Sequence, residues 1–472
     1  MSFIKYIVLS DLHLGEEDSL LTNLKPGVAE EAPLQPSPVL VKLGQCFENL
    51  LENDGPKPEL VILGDGLEMA LAGVHQAAMA FERLIEEFFI KRRLFSSIIY
   101  VPGNHDHHLW ETAREIQYSN FVERKKPPGE ILPEPWHISE TFPQKDYHFV
   151  PSPFLQKLIN RYPEIKDLKV KILYPVFGLL DKDYKKIVCL HHGHLIESIY
   201  RLMSKLKVAL FPSEKEPDTL NEIEKENFAW IDFFWSTMGR SGRVGEKIEN
   251  IYEMLLVPAT FKDLLGNLAK ALADKFDLPL IPERWEDDFI KKLLENFLRE
   301  SLRPERRRDE KTLSESSEKE LRWFVESPIL HEIKKILPVD DEELSTYQFQ
   351  FVFGHTHKPL ARLDKFRPFN PWAKVFNTGG WVIDRLELLP VYGVNLILIT
   401  DDLEVIGLEL FRQGSFESPK VLYVKSPDEQ TPLIVSQLNK KLGNPIWQEF
   451  VEVVQSAAQV RAGHLRRRLL GF

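Results

Sequence analysis

Short apolar runs recur along the chain, each ending in a polar cluster. They are Tyr6-Ile7-Val8-Leu9, Leu60-Val61-Ile62-Leu63, Ile98-Ile99-Tyr100-Val101, Ile187-Val188-Cys189-Leu190 and Phe349-Gln350-Phe351-Val352-Phe353. Aromatic and β-branched runs bounded by turn residues predict buried strands. Helical periodicity over residues 39–52 and 76–93 lies between the first three, the alternation of an α/β unit. Two further strands are predicted at residues 375–381 and 391–400.

The pattern changes elsewhere. Prolines at 127, 128, 133, 135, 143, 151 and 153 interrupt residues 126–153, which predicts irregular backbone with short strands near Trp136-His137-Ile138 and Tyr147-His148-Phe149-Val150. Residues 200–347 read as a mainly helical insertion, because Phe261, Leu264, Leu265, Leu268 and Leu272 share one helical face, as do Phe289, Leu293, Leu294 and Phe297. Residues 300–320 are dominated by charge, including Arg303, Arg306, Arg307 and Arg308. They read as a solvated linker, with an arginine cluster that binds phosphate as the alternative. In the tail, Trp447, Phe450, Val451, Val454 and Ala458 share a helical face, followed by Arg461, Arg466, Arg467 and Arg468. That helix either packs on the body or a second subunit, or lies against an anionic membrane surface.

The polar clusters carry the chemistry. In order they are Asp11-Leu12-His13, Gly64-Asp65, Gly103-Asn104-His105-Asp106, His191-His192-Gly193-His194 and Gly354-His355-Thr356-His357. Carboxylate, carbonyl and imidazole groups of this kind are divalent-metal ligands, and each set begins near the carboxyl end of a predicted strand. Asp11 and His13, two apart in an extended chain, can face one ion together.

Taken together, the five segments resemble the calcineurin-like metallophosphoesterase superfamily, whose pattern is D-x-H, G-D-x-x-D, G-N-H-D/E, H-G and G-H-x-H. The resemblance implies a four-layer αββα sandwich formed by residues 1–199 and 348–411, with the helical insertion 200–347 as a candidate lid and an extension at 412–472. It places one metal on Asp11, His13, Asp65 and His357, with Asp65 bridging to a second held by Asn104, His192 and His355. It assigns His105 to the leaving oxygen and Glu68 to orienting His105, where the family more often has Asp. Asp106 is expected to hold the turn or make a supporting contact. His191 and His194 are supporting or substrate-facing candidates, and His107 and His108 candidates for the pocket entrance. The expected cofactors are two divalent ions, Mn first, with Fe, Zn or Co as alternatives.

Gly354-His355-Thr356-His357-Lys358-Pro359 and Asn377-Thr378-Gly379-Gly380-Trp381 are similar in style to the UDP-2,3-diacylglucosamine pyrophosphatases. The chain departs from them in keeping His105, where they commonly have Arg, and in its greater length. Protein phosphatases are disfavoured, since Pro102-Gly103 stands where they usually carry Arg before Asn-His. The implied reaction is attack of a metal-bridging hydroxide on a phosphodiester or pyrophosphate in a nucleotide-linked or lipid-linked small molecule. A phosphomonoesterase and a non-catalytic protein-binding scaffold are the alternatives.

Composition narrows the setting. With 472 residues, 43% hydrophobic and 28% charged, the chain can build a large core. A net charge of −11 argues against general nucleic-acid binding through a cationic surface. Two cysteines form no disulfide framework, and no apolar run approaches the roughly 20 residues of a membrane span. A cytoplasmic location is expected, with peripheral membrane contact through the C-terminal helix as the variant. Sequence fixes no oligomeric state.

Overall fold

The computed structural model describes residues 2–51, 55–144, 148–211, 213–237, 305–311, 313–369, 372–426 and 430–470. The two helical faces expected within 261–297, together with Arg303 and Tyr147, lie outside them.

Thirteen strands form two sheets among the described residues. The larger contains β1 (Ile4–Leu9), β2 (Glu59–Ile62), β3 (Ile98–Tyr100), β4 (Val150–Pro151), β5 (Val170–Ile172), β11 (Gly393–Thr400), β12 (Val405–Arg412) and β13 (Lys420–Leu422), ordered β13-β12-β11-β1-β2-β3-β5-β4. The smaller contains β6 (Val176–Asp181), β7 (Lys186–His191), β8 (Gln348–Phe353), β9 (Leu360–Asp364) and β10 (Ala373–Asn377), ordered β6-β7-β8-β10-β9. Pairing is parallel for β1 with β2, β2 with β3, and β7 with β8.

Alternation along the strands builds the layers, since successive side chains point to opposite faces. Tyr6, Val8, Val61, Leu63, Ile99 and Val101 meet Val188, Leu190, Val352 and Phe376 between the sheets. Ile7, Leu9, Leu60, Ile62 and Ile98 point the other way. There they pack on helices α1 (Pro38–Leu51) and α2 (Val74–Ile85) through Leu43, Phe47 and Phe81. On the outer face of the smaller sheet, Ile187, Cys189, Phe349 and Phe351 meet Leu220, Ile223, Leu321, Phe324 and Ile333. These come from α6 (Leu220–Ile231), α7 (Glu315–Phe324) and α8 (Leu330–Ile336), which follow α3 (His108–Lys125), α4 (Pro153–Ile159) and α5 (Leu202–Leu210) in the chain. The result is a helix, sheet, sheet, helix sandwich, in which the described part of the insertion supplies the outer helices of the smaller sheet.

Three expectations change. Trp136-His137-Ile138 form no strand, because the His137 carbonyl accepts from Trp110 Nε1 at 2.8 Å and the Ser139 N–H donates to the Tyr174 carbonyl. The described part of residues 300–320 is not solvated linker throughout: Glu305 is buried in polar contacts and α7 begins at Glu315 with Ser314 as its cap. The larger sheet also continues past residue 411, into β13.

After α9 (Asp341–Leu344) and α10 (Leu433–Leu442), the last helix, α11 (Pro445–Leu470), lays Trp447, Phe450, Val451, Val454 and Ala458 into the core that contains α1. Arg461 donates to the Ser19 carbonyl at 2.8 Å and to that of Thr22, while Arg468 Nη2 lies 2.9 Å from Asp18 Oδ2. Its apolar face and these arginines are thus engaged within the chain. Among the described residues no helix is long and apolar enough to cross a membrane.

Candidate metal centre

The five loops that follow β1, β2, β3, β7 and β8 meet along one edge of the sandwich. Asp11 N–H donates to the Gly64 carbonyl at 3.0 Å, and His13 N–H to that of Asp65 at 2.9 Å. Gly354 N–H donates to the His192 carbonyl, and His355 N–H reaches the Asp11 carboxylate at 3.0 Å. The packing leaves no room for a larger residue at two glycines. A Cβ on Gly64, whose φ is +81°, would stand 2.3 Å from His192 Nδ1, and one on Gly103 would stand 2.3 Å from Asp65 Oδ1.

Five of the seven predicted ligands hold a left-handed backbone: Asp11, His13, Asp65, His355 and His357 have φ between 43° and 67°. Such residues each cost on the order of 1–3 kcal/mol and persist only where surrounding contacts over-determine them. Here those contacts aim donor atoms at common points.

Asp11, His13 and His357 form one group able to hold an ion, and Asp65, His192 and His355 another; within each group the donor atoms lie within 4.8 Å of one another. Asn104 joins the second through Oδ1, 3.2 Å from His192 Nε2. Asp65 stands between the groups, with Oδ2 3.2 Å from His192 Nε2 and 3.8 Å from His13 Nε2. The structure thus brings all seven predicted ligands together.

Tautomers fit metal binding. His13 Nδ1 lies 2.7 Å from Glu68 Oε2, which makes Nδ1 the protonated nitrogen and leaves Nε2 with a lone pair. Nε2 is buried and has no hydrogen-bond partner among the described residues. A buried, unsatisfied imidazole nitrogen beside carboxylates fits a divalent cation. His192 Nδ1 lies 3.0 Å from the Leu63 carbonyl, which likewise frees Nε2. Burial opposes charge on His192, but Asp65 and Asp11 push it up to about 9, the mark of a surrounding field that favours a cation. Asp65 stays well below the usual carboxylate range because His192, His105 and His13 outweigh its burial.

Glu68 touches its expected partner, His105, and an unexpected one, His13. Its carboxylate lies 2.8 Å from His105 Nδ1 and 2.7 Å from His13 Nδ1, and Oε1 accepts the N–H groups of Ala70 and Leu71. Burial would raise its pKa; His105 and His13 hold it far below the usual range. His13, Glu68 and His105 form a third group of metal-binding type, joined to the first through His13.

Asp106 is a structural clasp: Oδ1 accepts the Gly103 N–H at 2.7 Å, and Oδ2 accepts the Gly66 N–H at 2.8 Å and the Tyr100 hydroxyl. Asn377 braces the fifth loop, donating to the Gly354 carbonyl at 2.8 Å and to Thr356 Oγ1 at 3.0 Å. Trp381 N–H donates to the Asp11 carbonyl.

His107 does not line an entrance. It is fully buried, with Nε2 2.8 Å from Glu224 Oε1 of α6. His108 Nδ1 lies 3.2 Å from Asp232. His191 and His194 are buried as well, His191 Nδ1 accepting the Gly193 N–H and His194 Nε2 lying 3.2 Å from the Tyr174 hydroxyl, contacts of supporting residues. The sequence reading missed Glu197, whose Oε1 lies 3.2 Å from His355 Nε2. Its only trace was its place three residues past the fourth segment, which carries no spacing rule.

A family model of the calcineurin-like phosphoesterase matches residues 4–243, just over half of the chain. None of the curated proteins compared with the chain matches it. The match runs through four of the five loops, the fifth enters the same site from β8, and the two-sheet sandwich accompanies both. The chain belongs to the calcineurin-like phosphoesterase family.

Proposed function

We propose that the protein is a two-metal hydrolase of phosphodiester or pyrophosphate bonds in a nucleotide-linked or lipid-linked small molecule. The observation that carries this reading is the position of Asp65 Oδ2 between the two ligand groups, 3.8 Å from His13 Nε2 and 3.2 Å from His192 Nε2. Asp11, His13, Asp65 and His357 would hold one ion, and Asp65, Asn104, His192 and His355 the other. When bound, such a pair supplies Lewis acidity at phosphoryl oxygens and lowers the pKa of water. The chain's residues do the rest. Glu68 fixes the rings of His13 and His105, and Glu197 fixes His355. His105 is the proton donor at the leaving oxygen: burial opposes its charged form, but Glu68 and Asp65 outweigh burial and raise its proton affinity.

The test is hydrolysis of bis-p-nitrophenyl phosphate beside p-nitrophenyl phosphate with added Mn²⁺, comparing wild type with Asp65→Ala. Metal-dependent diester turnover, lost in the variant together with both ions, is expected. Strong preference for the monoester would replace the diester reading with a phosphomonoesterase. Two ions retained in the variant would remove Asp65 as the bridge.

A further inference from the structure

The insertion returns to the sandwich at a short turn, Glu305–Arg307, which is joined to the fifth loop at two points. At the first, Glu305 Oε2 lies 3.3 Å from Nζ of Lys358, the residue after His357, and each side chain is 1% exposed. Its Oε1 accepts the Ser317 hydroxyl at 2.9 Å and the Ser314 N–H at 3.0 Å. At the second, the Glu305 N–H donates at 3.2 Å to Glu197 Oε1. That same oxygen lies 3.2 Å from His355 Nε2. The far side of the turn is held as well, since the Tyr392 hydroxyl donates to the Arg308 carbonyl at 3.0 Å and Arg385 donates to that of Arg306.

Glu197 is fixed at its backbone. It takes an extended conformation between two one-turn helices, His194–Ile196 and Ser198–Arg201, and its N–H donates to the His194 carbonyl at 2.9 Å. The Tyr200 ring, carried by the second of these, meets the His355 ring edge-on with centroids 5.2 Å apart. Carboxylate and phenol ring thus confine the imidazole from two directions. A carboxylate beside Nε2 favours the proton on that nitrogen and leaves the lone pair on Nδ1, as a metal ligand requires. A glutamate side chain has several rotatable bonds, and the Glu305 N–H removes that freedom by holding the oxygen that faces His355.

We propose that the insertion completes the second metal site: Glu197 is the positioning residue of His355, and the Glu305 turn positions Glu197, so that tight binding of the second ion and docking of the turn favour each other. The inference rests on the two-metal reading above and adds a coupling to it. Binding at the Asp65, Asn104, His192 and His355 group gains from a ring that is already oriented. By linkage, binding that gains from a docked turn stabilises the docked turn by the same factor. The Asp11, His13 and His357 group takes its support from Glu68 through His13, so loss of Glu197 acts on one ion of the two.

The test titrates full-length wild type, Glu197→Ala and Glu197→Gln with Mn²⁺. Electron paramagnetic resonance separates an exchange-coupled Mn²⁺ pair from a single Mn²⁺, and hydrogen exchange is followed at the Glu305 amide. In wild type, formation of the coupled pair is expected to slow exchange of that amide about tenfold. Glu197→Ala is expected to weaken the second ion about tenfold or more and to change the first by less than about twofold. Its Glu305 amide should no longer respond to Mn²⁺, whereas Glu197→Gln, which keeps an oxygen for both donors, should restore much of the response. An unchanged second ion in Glu197→Ala, or equal weakening of both ions, overturns the inference. So does a coupled pair in wild type that leaves Glu305 exchange unchanged, a comparison that needs no variant to fold. Absence of the coupled pair from wild type would sink the two-metal reading itself, and this inference with it.

Discussion

Glu68 Oε2 lies 2.7 Å from His13 Nδ1, and this contact fixes which imidazole nitrogen is free for a metal. Supporting carboxylates of this kind typically alter metal affinity by about 10–100-fold when removed. Glu68→Ala should therefore bind Mn²⁺ weakly at the Asp11, His13 and His357 group, as read by metal per chain after dialysis and by chelator competition. Wild-type affinity in the variant would mean that His13 needs no such support.

His105 shares the Glu68 carboxylate but is not among the seven predicted ligands. His105→Ala should keep its metal content and lose turnover by roughly 100-fold or more, the scale of general acid–base groups. The loss should be smallest for substrates with good leaving groups such as p-nitrophenolate. A uniform loss across leaving groups would assign His105 to positioning instead of proton transfer.

His107 ties the third loop to the insertion. Burial disfavours its charge, yet Glu224 and Asp232 push it up to about 10, with Tyr174, His108 and His194 completing its surroundings. An unfolded histidine titrates near 6.5, so the folded state holds this proton more tightly. The stabilisation is full below pH 6.5 and is lost as pH rises towards about 10. The urea midpoint of wild type should fall across that window. Glu224→Gln should be less stable at about pH 6, by about 3 kcal/mol, and should show a flatter pH profile. Parallel profiles for the two proteins would exclude this pair as the source of the slope.

Lys358 and Glu305 form a buried pair that fastens the returning insertion. Lys358→Met leaves a carboxylate buried without its cation, a change that costs about 3 kcal/mol or more. Limited proteolysis should cut the variant faster within residues 305–317, while Lys358→Met combined with Glu305→Gln should recover much of the loss. Equal cleavage rates in wild type and the single variant would show that the turn is held by its other contacts.

Much of the site could be read without coordinates. Runs such as Tyr6 to Leu9 declare their strands through residue type and boundaries, and a strand end fixes where the next polar residues emerge. Asp11, Asp65, Asn104, His192 and His355 could thus be placed on one rim once the family resemblance supplied their order. Glu197 and Glu305 could not, because no spacing links them to His355 or Lys358. The charge of residues 300–320 suggested solvent, whereas Glu305 is buried against Lys358.

The chain's own pattern determined the period-two strands, the helices beside them and the ordered set of metal-binding groups, all properties set by local propensity and by alternation of side chains. Tertiary structure alone decided that Glu68 supports two histidines, that His107 turns inward to Glu224, that α11 spends its apolar face on α1, and that Glu305 docks on Lys358. Each of these joins residues whose meeting depends on how separate elements pack, and packing over tens to hundreds of residues leaves no periodic trace in sequence.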